Sequence, residues 1–565
     1  MAYTIYSLLH PLPPPSIHHF DLLTICFSAV LPNVIAICRL NYYKFCSELQ
    51  FHPNQDQAHY VLQGILHGFR IGFDAPVNLK QSKKNKPSAY QHPVVIDAYL
   101  NNEIQLGRVA GPFDSPPMPS LHTSSFGVIP KKGQPGKWRL IIDLSSPHGH
   151  SINDGIDPAA WSLHYIKIDD VVHMLANLGK GALIAKFDIE SAFRNIPVHH
   201  LDRHLLGMTW RSKYYVDLML PFGLRSAPCI FNSVADMVEW ILIHNHGIKD
   251  MLHYLDDFIL AGPSDSPTCS NNFKKAIAVT TELGLPLHPQ KCVGPATSMV
   301  VLGIELDTVA EIARLPSDKL SAICQILELW SRRKWCIKKD LQSLIGTLHH
   351  ACKVAWPGRT FLRRMIDLLC CFRNDNHPIR LNIEFKKDLA WWKEFSSTWN
   401  GVSFFLFPGL EPIPAYEVGS DASGTLGYGA FMQSEWFNGS WLPSQLQLSI
   451  AYKELFPVVL SAHIWSHHWS RKRILFRVDN EAVVYILNSR TSKDPNIMHL
   501  LRNLLLLAAR HHFSFSAIHV PGIHNGIADA LSRFNWQAFR SLAPSAHNLP
   551  VQVSPQVLAQ LSLVI

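Results

Sequence analysis

Two adjacent carboxylates, Asp256 and Asp257, sit inside the otherwise apolar run HYLDDFILAG. Burying an uncompensated charge is costly, so such groups are paired, protonated or bound to a cation. Read as strand, two-residue apex and strand, MLHYL–DD–FILAG is a tight hairpin with both carboxylates at its tip. Upstream, GALIAKFDIESAF reads as an apolar strand ending in Asp188, with Glu190 two residues on. If these strands are neighbours in one sheet, Asp188 and Asp256 converge. Carboxylates that converge repel unless a divalent cation lies between them. Mg²⁺, a hard ion that takes oxygen ligands and shares substrate phosphates, is the expected occupant.

The second half of the chain holds a similar set. YEVGSDASGTLGYGAFM reads as strand, Asp421, Gly-rich turn and strand. RILFRVDNEAVVYIL reads as a strand ending in Asp479, with Asn480 placed to cap the helix that follows. IAYKELFPVVLSAHIW is helical, with Glu454 one turn before Pro457, and PGIHNGIADALSRF is a loop entering a short helix that carries Asp529. Any one of these acids alone reads as a solvated surface group. Four of them, three at element ends, point to an assembled site.

The elements that must position these groups can be read coarsely. At 565 residues, 47% apolar and 17% charged, the chain can bury large cores and form about three or four domains. GPFDSPPMPS (111–120) reads as a linker. SSFGVIPKKG and KWRLIIDLS, separated by GQPG, read as a β-hairpin, and 165–310 mixes helices and strands. Over 317–372 the strand pattern gives way to helical apolar spacing, as in KLSAICQILELW. A second α/β unit runs from about 415 to 535. No period of 20–50 residues recurs, which excludes a solenoid.

The formal charge is +8, with cations clustered at Lys80, Lys83, Lys84 and Lys86 and in PKKGQPGKWR, SRRKW and SRKR. Solvated faces are the simple reading of each, and contact with phosphates the functional one. Eleven cysteines without a CxxC or Cys/His zinc spacing point to a reducing, intracellular compartment, cytoplasm or nucleus. Residues 22–38 carry no charge, but Pro32 interrupts them and a span needs about 20 apolar residues, so no stable membrane association is expected.

KFDIESAF, LPFGLRSAPCIFN, YLDD and VVLGIEL, in this order and at these separations, resemble the core motifs of reverse transcriptases. The four-carboxylate unit ending in HVPGIHNGIADALSR resembles the ribonuclease H domain that follows the polymerase in long-terminal-repeat-type retroelements. The segments HYVLQGILHGFRIGFD and RFNWQAFRSLAPSAHNLPV narrow the resemblance to the DIRS-type (tyrosine-recombinase) retrotransposon polyproteins.

The resemblance implies a multidomain α/β and α+β protein, a right-hand polymerase with fingers, palm and helical thumb followed by an RNase H-like domain. It divides the chain into a leader (1–40) outside the fold, an element-specific N-terminal region and linker (41–118), fingers and palm (119–312), thumb (313–375), connection (376–412), nuclease (413–535) and tail (536–565).

It implies an RNA-directed DNA polymerase with ribonuclease H activity. Each active site would use two Mg²⁺ (or Mn²⁺) ions, one pair held by Asp188, Asp256 and Asp257, the other by Asp421, Glu454, Asp479 and Asp529. It also implies nucleotide contacts by Lys132, Arg139, Phe193 (a steric gate against a ribose 2′-oxygen), Phe222, Gly223 and Lys291, and a primer grip at Leu302 and Gly303. His524 lies where many ribonucleases H place a proton-shuttling histidine, and Asn525 would order that loop. Arg332, Arg333, Lys334, Lys338 and Lys339 would be thumb contacts to the duplex.

The implied partners are an RNA template, a DNA primer, their hybrid and dNTPs. A tyrosine recombinase does not fit in the 30 residues after the nuclease, so it would be encoded separately or the copy would be truncated. A second reading is a catalytically silent, decayed or domesticated nucleic-acid-binding copy of the same fold. Such copies lose their metal carboxylates, and all seven are present here. A gypsy-type fragment is disfavoured, because there is neither a protease-like Asp-Thr/Ser-Gly nor a zinc-binding integrase spacing.

Overall fold

The computed structural model describes residues 38–74, 77–80, 84–130, 136–398, 401–403 and 413–561. Most of the 22–38 apolar stretch, the 1–37 part of the leader and Lys132 lie outside the described residues. Among the described residues no helix is long and apolar enough to cross a membrane, and ten cysteines are free thiols. The chain divides into two compact units, one formed by residues up to Lys167 with Ala182–Ala296, the other by Ile168–Gly181 with residues from Thr297 on.

The first unit is built on a four-stranded antiparallel sheet in the order Met251–Tyr254, Asp257–Gly262, Leu183–Asp188, Val293–Ala296. Helices Ala227–Trp240 and Thr268–Glu282 pack on it and share one apolar core with Phe187, Phe258 and Leu260. The N-terminal helices Tyr42–Leu49 and Gln55–His67 join that same core through Phe45, Leu49, Val61 and Ile65. Asn41 and Asn54 start them, each side chain accepting a backbone N–H three residues on, at 3.1 and 3.0 Å. These two helices are therefore part of the first unit's core. The stretch read as a linker begins as a strand, Val109–Phe113, paired with Lys213–Asp217. Its Pro and Gly residues sit beside a register shift between Ala110 and Phe113, where a ladder tolerates them. Ser125–Pro130 and Trp138–Asp143 form the expected hairpin.

The second unit contains a four-stranded sheet ordered Ser298–Val301, Ile304–Asp307, Ile312–Arg314, Val402–Ser403. Helices Ser317–Arg332, Lys338–Ala351 and Arg363–Leu369 follow in the 317–372 stretch read as helical. Between the first two, Trp335–Cys336 pairs with Ile379–Arg380. Its C-terminal part is a five-stranded sheet in the order Glu435–Ser440, Gly427–Met432, Tyr416–Ala422, Arg473–Val478, Ser514–His519. The first three strands are antiparallel and the last two run parallel to Tyr416–Ala422. Helix Ile450–Trp465 packs on this sheet and is buried along most of its length, continuing through Pro457. The tail does not hang free: Phe539 packs with Trp436 and Leu531, Leu561 enters the core beneath the five-stranded sheet, and the Tyr452 hydroxyl donates to the Leu561 carbonyl at 3.0 Å.

Candidate active sites

Asp188 ends its strand with its side chain buried, directly opposite Asp257 in the antiparallel register. Asp257 is itself the first residue of the next strand and faces Tyr254 across the hairpin. The apex is therefore Leu255–Asp256, one residue earlier than the apolar pattern predicts. Leu255 adopts φ +53°, at the first central position of a two-residue turn, where glycine is usually required. A bulky residue held there stores about 1–3 kcal/mol, which the surrounding sheet must absorb. The Asp256 carbonyl accepts the Ile189 N–H at 3.0 Å, which ties the turn to the strand carrying Asp188.

Burial, and then the charges of Asp188 and Asp256, push the Asp257 carboxyl up to about 6. Asp256 is raised by burial and by Asp188. The charge of Asp188 thus disfavours the ionised forms of both Asp256 and Asp257, the signature of a site suited to a cation. Lys291 supplies part of that charge, its ammonium donating to Asp188 Oδ2 at 2.7 Å. Burial pulls the Lys291 ammonium down, but the Asp188 hydrogen bond and charge outweigh it and the net shift is upward.

Phe193 lies in the short turn Ala192–Asn195, its ring 5.6 Å from Phe222 and 5.8 Å from Phe231. Phe222 is exposed and Gly223 adopts φ +97°, which favours glycine. Sequence reasoning missed what holds this turn. Buried Asn153 donates to the Gly223 carbonyl at 2.9 Å and accepts the Arg225 N–H at 2.8 Å, while Arg225 reaches back to the Ile156 carbonyl at 2.7 Å. No motif marks Asn153, whose partners lie about 70 residues away in the chain. Arg139 is exposed on the 125–143 hairpin opposite Ile129.

Leu302 and Gly303 form the turn between Ser298–Val301 and Ile304–Asp307, in the second unit. Gly303 adopts φ +79°, a conformation that strains any residue with a side chain, and a Cβ there would also displace the Lys319 Nζ, 2.4 Å away. Lys319 donates to the Gly303 carbonyl at 3.0 Å. Of the five cations expected to meet a duplex, three are engaged within the protein, Arg332 with Glu328, Arg333 with Asp340 and Lys338 with Asp375. Pairs this exposed hold each other weakly.

In the C-terminal sheet the structure brings together Asp421, Glu454 and Asp479, whose ligand oxygens all lie within 4.8 Å of one another. Asp421 and Glu454 are buried. Asp479 follows the Arg473–Val478 strand, and Asn480 caps the next helix by accepting the Val483 N–H at 3.1 Å. Burial and the charges of Asp421 and Asp479 push Glu454 up to about 9. Burial, with Asp479 and Asp529 beside it, raises Asp421 against the opposing hydrogen bond from Ser532. Glu454 Oε2 is buried without a hydrogen-bond partner. Three crowded carboxylates, one with an orphaned oxygen, are the donor set a divalent cation takes.

Asp529 lies outside the 4.8 Å trio but close enough for its charge to act on Asp421, and its carboxylate accepts from Arg533 at 2.6 Å. Ser532, not singled out in the sequence, donates to Asp421 Oδ2 and to the Asp529 carbonyl. His524 is exposed at the end of a short turn. Asn525 is buried and donates to the Ser420 carbonyl at 3.0 Å, pinning the loop to the residue before Asp421. Asn525→Ala is expected to lower stability by about 1–3 kcal/mol, because it leaves that carbonyl unpaired. Denaturant titration beside the native protein measures the loss.

Residues 129–306 match the family model described as reverse transcriptase (RNA-dependent DNA polymerase). That stretch is a reverse transcriptase domain. The Tf2-3 and Tf2-7 transposon polyproteins of Schizosaccharomyces pombe (strain 972 / ATCC 24843) are each 22% identical over 482 residues, covering 82% of this chain and 32% of theirs. The chain thus spans about a third of the length of these curated relatives. Among solved structures, the foamy viral protease-reverse transcriptase in complex with an RNA/DNA hybrid aligns at TM-score 0.48 and 14% identity, over 86% of this chain and 64% of that one. The same viral protein in complex with dsDNA aligns at 0.47 and 16%, over 85% and 98%.

Proposed function

We propose that this chain is an RNA-directed DNA polymerase with a ribonuclease H activity in its C-terminal part, copying retroelement RNA into DNA and cutting the RNA of the resulting hybrid. The observation that carries the reading is the Asp188–Asp257 cross-strand pair with Asp256 in the adjoining turn, inside the reverse transcriptase domain. The paired strands hold two carboxylates at fixed separation, and the turn adds a third. Two Mg²⁺ ions, when bound, supply a polarised 3′-hydroxyl and neutralise charge on the leaving pyrophosphate. Asp188, Asp256 and Asp257 would hold them, and the Lys291 ammonium, mobile on its long stem, would exchange Asp188 for a phosphate oxygen.

The nuclease reading rests on the Asp421–Glu454–Asp479 cluster. Asp529 would join it once Arg533 turns away. Recognition of the hybrid would be by phosphates, 2′-hydroxyls and A-form shape. A DIRS-type origin is supported by HYVLQGILHGFRIGFD and RFNWQAFRSLAPSAHNLPV, which here form parts of ordered helices and loops.

Primer extension on poly(rA)/oligo(dT) with Mg²⁺ tests the polymerase. Extension is expected, and its absence from folded protein would instead support a binding-only copy. Phe193, seated between Phe222 and Phe231, is the proposed sugar gate. Phe193→Val is expected to raise the relative kcat/KM for rNTPs by at least about tenfold while dNTP incorporation falls less, since a clash discriminates by a few kcal/mol. Single-nucleotide incorporation with paired dNTP and rNTP measures the ratio.

A further inference from the structure

His253 lies three residues before Asp256 and is buried beneath the catalytic hairpin. Both of its ring nitrogens face oxygen atoms of helix Ala227–Trp240. Nδ1 makes a short contact with Glu239 Oε2, and Nε2 lies 3.3 Å from Asn232 Oδ1 and 3.5 Å from Asp236 Oδ1. The Asn232 amide is oriented by its own Nδ2, which donates to both Asp236 oxygens at 3.1 Å, so its carbonyl must point at the histidine. A neutral imidazole would set one nitrogen lone pair against an oxygen lone pair in a buried place. With the Glu239 carboxylate ionised, both ring nitrogens donate and the ring is an imidazolium.

That ring is the first of a row of three. His253 is the cross-strand partner of Phe258, and Phe258 of Phe187. Their centroids are 5.3 and 4.9 Å apart, with interplanar angles of 23° and 4°. Phe258 and Phe187 immediately adjoin Asp257 and Asp188 in their strands. Successive strand residues point to opposite faces, so the ring row lies on the helix-packed face and the carboxylate pair on the other. Fixing the rings fixes the two strands whose next residues form the site.

We propose that His253, as an imidazolium clamped by Glu239, Asp236 and Asn232, is a positioning residue that locks the Phe258–Phe187 stack and thereby the spacing of Asp257 against Asp188. The inference rests on the polymerase reading for its kinetic consequence only. Among the described residues, the charged groups acting on His253 are Glu239 and Asp236, while the neighbouring strand presents the Phe258 ring. Burial lowers the proton affinity of His253, but the Glu239 hydrogen bond and charge, with Asp236, outweigh it and the net shift is upward. The clamp is therefore lost as pH rises through that elevated value.

The test combines ¹⁵N-histidine NMR with the pH profile of single-nucleotide incorporation. His253 is assigned in the spectrum by difference from His253→Gln. At pH 7 both ring nitrogens are expected to be protonated, and a neutral tautomer there would overturn the proposal. Glu239→Gln is expected to move the alkaline fall of kcat to lower pH by about one unit, with KM for dNTP unchanged. His253→Gln is expected to lower kcat about tenfold and remove that limb. Superimposed profiles for the native protein and Glu239→Gln would also sink it. If His253→Gln does not fold, the Glu239→Gln profile still decides, and the His253 resonances are then assigned from their response to Glu239→Gln. If the native protein fails to extend primers, the polymerase reading fails, and the NMR arm alone decides whether His253 is the clamped cation.

Discussion

Replacing Asp256 and Asp257 together by Asn is expected to cut primer extension by about 10³-fold or more while leaving the fold intact. The effect is large because the pair faces a developing charge that only these carboxylates and their ions can manage. Folding should not suffer. Burial and mutual repulsion already disfavour ionisation of both groups, so neutral amides relieve a native-state penalty. The sign follows from linkage. Asp257, raised to about 6, contributes stability below its unfolded value that fades as pH climbs toward 6 and is absent at pH 7. The Asn variant should therefore melt at or above the native temperature at pH 7, with calorimetry as the measurement. A variant that melts markedly lower would mean the carboxylates are structural. Extension that survives would mean the chemistry lies elsewhere.

Glu454→Gln is expected to abolish hybrid cleavage, again by about 10³-fold, and to leave primer extension unchanged. Glu454 is the most strongly shifted carboxylate of the Asp421–Glu454–Asp479 cluster, pushed up to about 9 by burial and then by Asp421 and Asp479. A cation must displace its proton, so Mg²⁺ should stabilise the protein more at pH 8 than at pH 6. In the metal-free protein the sign is opposite. A raised carboxylate contributes stability that is full below its unfolded value and lost as pH rises toward 9, so the apoprotein should melt lower at pH 8 than at pH 6. Thermal melts at the two pH values, with and without Mg²⁺, separate the two trends. Equal Mg²⁺ increments at both, or none, would argue against a metal at this cluster.

The strands that carry Asp188, Asp257 and Asp421 could be read from the sequence because each is a short, largely apolar run with a carboxylate at or near one end. Long-range partners could not be read in the same way. The turn register slipped by one residue because apolar periodicity carries no signal for Leu255 at φ +53°. Gly111–Phe113 looked like a linker because Pro and Gly dominate it, whereas its pairing with Lys213–Asp217 is set by distant residues. Arg332, Arg333 and Lys338 looked available to phosphates because sequence shows charge but not the carboxylates that fold against them. Asn153, Ser532 and His253 are ordinary residue types, and their partners become visible only when the sheet is assembled.

The helix Ile168–Leu178 belongs to the second unit although the chain returns to the first for Ala182–Ala296. Its Ile168, Val171, Val172, Met174 and Leu175 are buried in the finished protein. On the ribosome, those side chains emerge long before the residues from Thr297 onward that complete their unit. For that interval a sticky apolar face waits without its companions, the situation that favours aggregation or a chaperone's hold. Yield in a heterologous host should therefore depend on translation speed across Ala182–Ala296, and slowing synthesis there would lengthen the exposure.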